Sequence, residues 1–141
     1  MKVTVHVEGE VPVSADEIRR VLQHAMEAES VDLDLSVAIV DDAAIHRLNR
    51  EFLNHDYPTD VISFDLRGED VGPDGELVVS YTTALREATD RGGDPTAELL
   101  FYCVHGVLHL LGWNDSDADE REAMLMRQSS LLQEVGYEVA P

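Results

Sequence analysis

Apolar and polar positions alternate along this chain in nine recognisable segments. Val3, Val5 and Val7 interleave with Thr4, His6 and Glu8, the period of two that a strand with one buried face requires. Ser14 and Glu17 have the S-x-x-E spacing of a capping box, and Ile18, Val21, Leu22, Ala25 and Met26 follow at helical intervals. Leu33, Leu35, Val37 and Ile39 alternate with Asp34, Ser36 and Ala38, which predicts a second strand. Asp41 or Asp42 is placed to cap a second helix, with Ile45, Leu48 and Phe52 on its buried face. The pattern breaks over residues 54–59 and resumes as a strand over 61–66. A glycine-flanked Pro73-Asp74 turn separates that strand from a short one over 76–80. A helix over 81–90 is stopped by Arg91-Gly92-Gly93, after which Asp94 and Pro95 suit the N-cap and first position of the next helix.

That helix, over 95–111, is apolar almost all round, as expected of one buried at the centre of a domain. Ser116 is a candidate cap for a last helix carrying Met124, Leu125, Leu131, Leu132 and Val135. The order predicts an α+β fold: a mixed four-stranded sheet packed with about five helices, forming one domain over residues 1–141.

Composition narrows the class. At 141 residues, 44% hydrophobic and 28% charged, the chain is ordinary globular material of single-domain size. Its opening residues read as a strand without an apolar core region, so no signal peptide is expected. The longest apolar stretch, residues 99–113, falls short of the roughly 20 needed to cross a bilayer and carries two histidines. A single cysteine excludes an internal disulfide and suits a reducing cytoplasm. Ten basic residues against 29 acidic give a net charge of −19, a field that repels polyanions and argues against a general nucleic-acid binder.

The chemistry is concentrated in one segment. His105 and His109 stand four apart on the predicted central helix, so both imidazoles share one face. Gly112 can end that helix in a left-handed turn and bring Asp115 back towards them. Two nitrogens and one oxygen form an open zinc site with a fourth position left for water, which points to metal-assisted hydrolysis. The bland alternative is a pair of core histidines bonded to neighbours. Cys103 is about 200° around the helix from His105 and is expected in the core. Asp117, Asp119 and Glu120 are accounted for by the positive N-terminus of the last helix, leaving Asp115 as the third ligand. The same acidic run is not a calcium loop, because Glu120 and Met126 occupy the places of its glycine and its bidentate glutamate. In the H-E-x-x-H protease pattern a glutamate follows the first histidine; here that residue is Gly106, which cannot transfer a proton.

These residues resemble a known family. His105-Gly106-Val107-Leu108-His109-Leu110-Leu111-Gly112-Trp113 is similar to the H-G-x-L-H-L-x-G-Y-D-H signature of the YbeY endoribonuclease family. Leu48-Asn49-Arg50-Glu51-Phe52, and then Asp56-Tyr57-Pro58-Thr59-Asp60-Val61-Ile62-Ser63-Phe64, resemble its L-N-x-x-[YF] and D-x-P-T-D-V-L-S-F segments, and Gly75-Glu76-Leu77-Val78-Val79-Ser80 its G-D-I-x-I-S strand.

The resemblance implies a zinc-dependent, single-strand-specific endoribonuclease in rRNA maturation at the small-subunit 3′ end and in ribosome quality control. One Zn(2+) per chain, single-stranded RNA, the small ribosomal subunit and its assembly factors, and a cytoplasmic location are the corresponding expectations. It carries over the metal positions His105, His109 and Asp115, the last standing where the family has a third histidine. Catalysis would run through those three residues and the water a metal there would hold. The family often has an arginine directly after the [YF] position, where this chain has Leu53; Arg47 and Arg50 are candidates to replace it. Thr59 and Asp60 either position substrate or only shape the turn. The rival functions are a zinc hydrolase of another substrate, such as a peptidase, and a non-catalytic ribosome-assembly factor with a structural zinc.

Overall fold

The computed structural model describes residues 1–9, 11, 13–55 and 59–139. Asp56, Tyr57 and Pro58 of the family-like segment lie outside the described residues. The elements run β1 (Val3–Val7), α1 (Ala15–Ala28), β2 (Leu35–Val40), α2 (Asp42–Leu53), β3 (Val61–Asp65), β4 (Gly75–Ser80), α3 (Tyr81–Arg91), α4 (Pro95–Leu110) and α5 (Ala118–Glu134). The sheet order is β1-β2-β4-β3, with β3 antiparallel at one edge and the other pairings parallel. The α+β class, the mixed four-stranded sheet and the five helices agree with the sequence pattern. No helix among the described residues is long and apolar enough to cross a membrane.

Strand register divides the core in two. Val37 pairs with Leu77 and Ile39 with Val79, and these residues pack with Leu22, Leu99, Leu100, Leu108 and Leu131 of the helices into the main core. The intervening Val40, Ile62 and Val78 join Ile45 of α2 in a smaller cluster on the opposite face. α4 thus lies between the sheet and α5, with residues such as Leu100, Cys103, Val104 and Leu108 wholly buried. Its start is capped by Asp94, whose carboxylate accepts from the Thr96 amide at 3.0 Å, with Pro95 in the first turn.

One glycine sets how closely α4 meets the sheet. A Cβ on Gly106 would lie 3.0 Å from Leu77 Cδ2, 3.0 Å from Val61 Cγ2 and 3.2 Å from Ser63 Oγ. With no side chain there, the helix backbone comes near enough for Ser63 Oγ to donate to the Gly106 carbonyl at 2.9 Å. Gly106 is therefore a packing residue between α4 and the β3–β4 pair, besides lacking a proton-transferring group.

Three details depart from the pattern. Phe52, expected in the core, is 63% exposed: α2 buries Ile45 and Asn49, and Phe52 in the last turn meets the ring of Phe64 on the edge strand, edge to face at 6.1 Å. Leu125 is likewise exposed, because the buried stripe of α5 runs through Met124, Gln128, Leu131 and Leu132 and Leu125 is rotated about 100° from it. The cap of α5 is Asp117, which accepts from the Glu120 amide at 2.8 Å, while Ser116 donates to the Glu120 side chain.

Asp42 ties the start of α2 to the β4–α3 junction. Its carboxylate accepts from Ser80 Oγ at 2.7 Å, from Thr83 Oγ1 and from Arg86 at 2.8 Å. Burial pushes its pKa up, but the bonds from Thr83, Arg86 and Ser80 outweigh burial and hold it at about 2. The adjoining Ser80 amide donates to the Asp60 carbonyl at 2.9 Å, so this junction also fixes the start of β3.

Two outcomes follow from this packing. Gly106→Val forces α4 off the sheet, and urea unfolding should show a loss of about 1–3 kcal/mol or more, typical of an overpacked core; an unchanged midpoint contradicts the close approach. A carboxyl held below its ordinary pKa stabilises the fold above that ordinary value and loses the contribution as pH falls to about 2. The stability advantage of wild type over Asp42→Asn should therefore shrink by about 2 kcal/mol between pH 5 and pH 2, measured by urea unfolding across that range.

Candidate metal centre

His105 and His109 project from the last two turns of α4, their rings 4.7 Å apart at 80° to one another. The helix then ends as the sequence suggested. Gly112 takes φ +98°, its amide donates to the His109 carbonyl at 3.1 Å, and the Trp113 amide donates to Leu108 at 3.0 Å. This paired closure reverses the chain and satisfies carbonyls that the helix end would leave open. Trp113 packs against the main core, and its indole N–H donates to Glu29, which is paired in turn with Arg127 at 3.0 Å. The turn is pinned on both sides, and Asp115 is carried back over the histidines.

Asp115 Oδ2 lies 3.6 Å from His105 Nε2 and 3.4 Å from His109 Nε2, and one donor atom from each of the three residues falls within 4.8 Å of the others. Zinc bonds of about 2.0–2.2 Å in a tetrahedron place neighbouring ligands about 3.3–3.6 Å apart, so both aspartate–histidine separations fit. These three residues can hold a metal ion. Their side chains are 22%, 34% and 41% exposed in chain order, which leaves the group open to solvent on one side.

A neighbour fixes the orientation of His105. Gln128 of α5 is buried, and its Nε2 donates to the Phe101 carbonyl at 3.3 Å. A carbonyl only accepts, so the amide oxygen of Gln128 must face the other way, 3.0 Å from His105 Nδ1. His105 therefore donates from Nδ1 and keeps the Nε2 lone pair for the side facing Asp115. Backing of this kind sets both tautomer and ring angle in metal sites. Gln128 was not singled out from the sequence, although one amide among Met124, Leu131 and Leu132 on an apolar stripe was the visible signal.

The group opens into a cleft of about 490 Å³ lined by Leu53, Thr59, Asp60, Val61, Ser63, Asp65, Leu110 and the three donors. Thr59 and Asp60 are thus brought beside the histidines, and they also shape the turn: Asp60 Oδ1 accepts from the Val61 amide at 2.8 Å and from Thr59 Oγ1 at 3.3 Å. Arg47 and Arg50 are exposed on α2 and neither lines the cleft. Cys103 faces the core, where burial pushes its thiol up to about 12, so it offers no thiolate to the site.

Comparison with known proteins agrees with this architecture. The family described as endoribonuclease YbeY matches residues 5–136. The endoribonuclease YbeY of Moorella thermoacetica is 41% identical over 84% of this chain and 85% of its own length, and that of Syntrophotalea carbinolica 35% identical over 95% and 97%. The Rhodopirellula baltica protein of the same name is 45% identical over 74% of this chain, which spans 55% of that longer relative. The solution structure of TM1509 from Thermotoga maritima superposes with a TM-score of 0.70 at 28% identity, covering 94% of this chain and 88% of that one. From the match along nearly its whole length, the chain belongs to the YbeY endoribonuclease family.

Proposed function

We propose that this protein is a zinc-dependent endoribonuclease that cleaves single-stranded RNA, acting in the cytoplasm on rRNA at the small-subunit 3′ end and in ribosome quality control. The observation that carries the reading is the His105–His109–Asp115 group open to a cleft. Three protein donors with solvent access are the pattern of a catalytic zinc site, whereas structural zinc sites are closed by four. This weighs against a zinc that only steadies the fold.

In this reading His105, His109 and Asp115 hold one Zn(2+). When bound, the ion supplies Lewis acidity towards a phosphoryl oxygen and acidifies water. Gln128 holds His105 so that its Nε2 lone pair, on the side of Asp115, would be available to the ion, and Thr59 and Asp60 would position substrate along the cleft wall. Asp115 in place of a third histidine cancels one unit of the metal's charge and lowers the attraction of the site for phosphate. Gly106 supports RNA over peptide as substrate: the residue after the first histidine faces Leu77 and Val61 at contact distance and has no room for a catalytic glutamate. The family relatives are named endoribonucleases, which supports the same choice.

Zinc titration and an RNA cleavage assay test this together. Wild type should bind about one zinc and cleave a single-stranded oligoribonucleotide, with both properties lost in His109→Ala and cleavage lost on chelation. Gln128→Leu should fold and bind zinc about 10- to 100-fold more weakly, the usual cost of removing a residue that orients a metal ligand. Cleavage that persists in His109→Ala, or in fully chelated protein, contradicts the proposal.

A further inference from the structure

The cleft is poorly suited to a polyanion. Among the described residues Asp60, Asp65 and Asp115 line it and no lysine or arginine does, and the whole chain carries a net charge of −19. Leu53 lines it where the family resemblance led one to expect a cation. A divalent ion offsets two of the three carboxylates, and the entering phosphate still needs a further positive donor.

Arg67 is tied to the rim of this cleft at two points. Its Nε and Nη2 donate to the two oxygens of Asp65 at 2.9 and 2.8 Å, and Nη2 also donates to the Leu110 carbonyl at 2.7 Å. Asp65 and Leu110 both line the cleft, and Leu110 directly follows His109. Three bonds therefore hold the guanidinium in place before any ligand arrives, so little rotamer entropy remains to be lost on binding. Both Nη1 protons lack a partner among the described residues, and the side chain is 44% exposed. Hydrogen bonds from Arg67 hold the Asp65 carboxyl at about 2, so the clamp stays ionised through the neutral range.

The other arginines near the site lie away from the metal donors. Arg86 and Arg91, paired with Asp42 and the buried Glu98 as Arg67 is with Asp65, line an adjoining groove that shares Thr59 and Asp60 but none of His105, His109 and Asp115. Arg47 and Arg50 sit on the exposed side of α2.

We propose that Arg67 is the phosphate-contacting cation of the metal cleft, holding a backbone phosphate of single-stranded RNA through Nη1 while Asp65 and Leu110 hold its other nitrogens. The assignment rests on the endoribonuclease reading above. A planar guanidinium with two free donors on one nitrogen suits a phosphate, and its bond to the carbonyl of Leu110, the residue after His109, keeps it at the rim of the cleft that carries the three donors. A purely structural Arg67 would fasten the β3–β4 loop to the end of α4 and contribute nothing to RNA affinity.

Salt dependence separates the two roles. Binding of a fluorescent oligouridylate by the zinc-loaded protein is measured by anisotropy from 50 to 300 mM KCl, with cleavage followed in parallel and folding checked by thermal melting. Loss of one phosphate contact in Arg67→Ala should weaken binding about tenfold at low salt and reduce the slope of log K against log[KCl] by about 0.7. Arg67→Lys keeps the charge but not the fork, and should weaken binding while retaining the wild-type slope. Arg20→Ala, at the α1 face beside Tyr137, should bind as wild type does. Wild-type affinity and slope in both Arg67 variants, with wild type cleaving normally, overturn the role of Arg67 alone. Wild type that neither binds nor cleaves the RNA overturns the endoribonuclease reading, and the assignment with it.

Discussion

The close approach of α4 to the sheet at Gly106 is the constraint from which the site follows. Without a side chain at that position, Leu77 and Val61 fill the space a Cβ would take, and Ser63 bonds directly to the helix backbone. One face of α4 is thereby pressed against β3 and β4. Residues before and after the glycine are rotated about 100° to either side, so His105 is turned towards the rim of the edge strand and Gln128 of α5. A helix standing further off would carry both histidines away from the wall formed by Thr59, Asp60 and Ser63. The buried environment around α4 is what makes the helix rigid enough to serve as a ligand platform.

Rigidity of the third donor comes from a different source. Asp115 is on a loop, and loops hold a ligand well only when their ends are fixed. Here one end is fixed by the left-handed Gly112 turn and by Trp113, whose ring packs against the core and whose N–H reaches the Glu29–Arg127 pair. The other end is fixed by Asp117 capping α5. Only Asn114, Asp115 and Ser116 lie between these anchors. An aspartate there reaches two imidazoles 3.4 and 3.6 Å away without any further support.

Much of this was legible from the chain. The histidine spacing, the Gly112 stop and the carboxylate beyond it point to the three residues that the fold brings together as a group able to hold a metal ion, because helix geometry and a glycine turn leave few alternatives. The capping residues Ser14 and Asp94, the pair Asp41 and Asp42, of which Asp41 is the cap, and the alternation in β1 and β2 placed the elements. What the pattern misjudged lies at element ends and edges. The helical phase of Phe52 is that of a core residue, yet it sits over an edge strand and is largely exposed. Gln128 and Arg67 act through partners distant in sequence, on Phe101, His105 and Leu110, and no local periodicity reports such a contact. From the sequence Gly106 signals only a missing base; its steric role depends on the sheet packed against it.

The strongly acidic character of the chain shapes how the site must work. Carboxylates line the cleft, so in the proposed reading an anionic substrate would be held by a few placed groups against a repulsive background, with affinity depending steeply on each of them. The proposed chemistry depends on the identity of the metal donors. Zinc K-edge X-ray absorption of protein loaded with one equivalent of zinc tests them most directly. Two imidazole nitrogens at about 2.0–2.1 Å, oxygen scatterers at about 2.0–2.2 Å and no sulfur are predicted, with the oxygen component altered in Asp115→Ala. A sulfur shell at about 2.3 Å, or a spectrum that Asp115→Ala leaves unchanged, would contradict it.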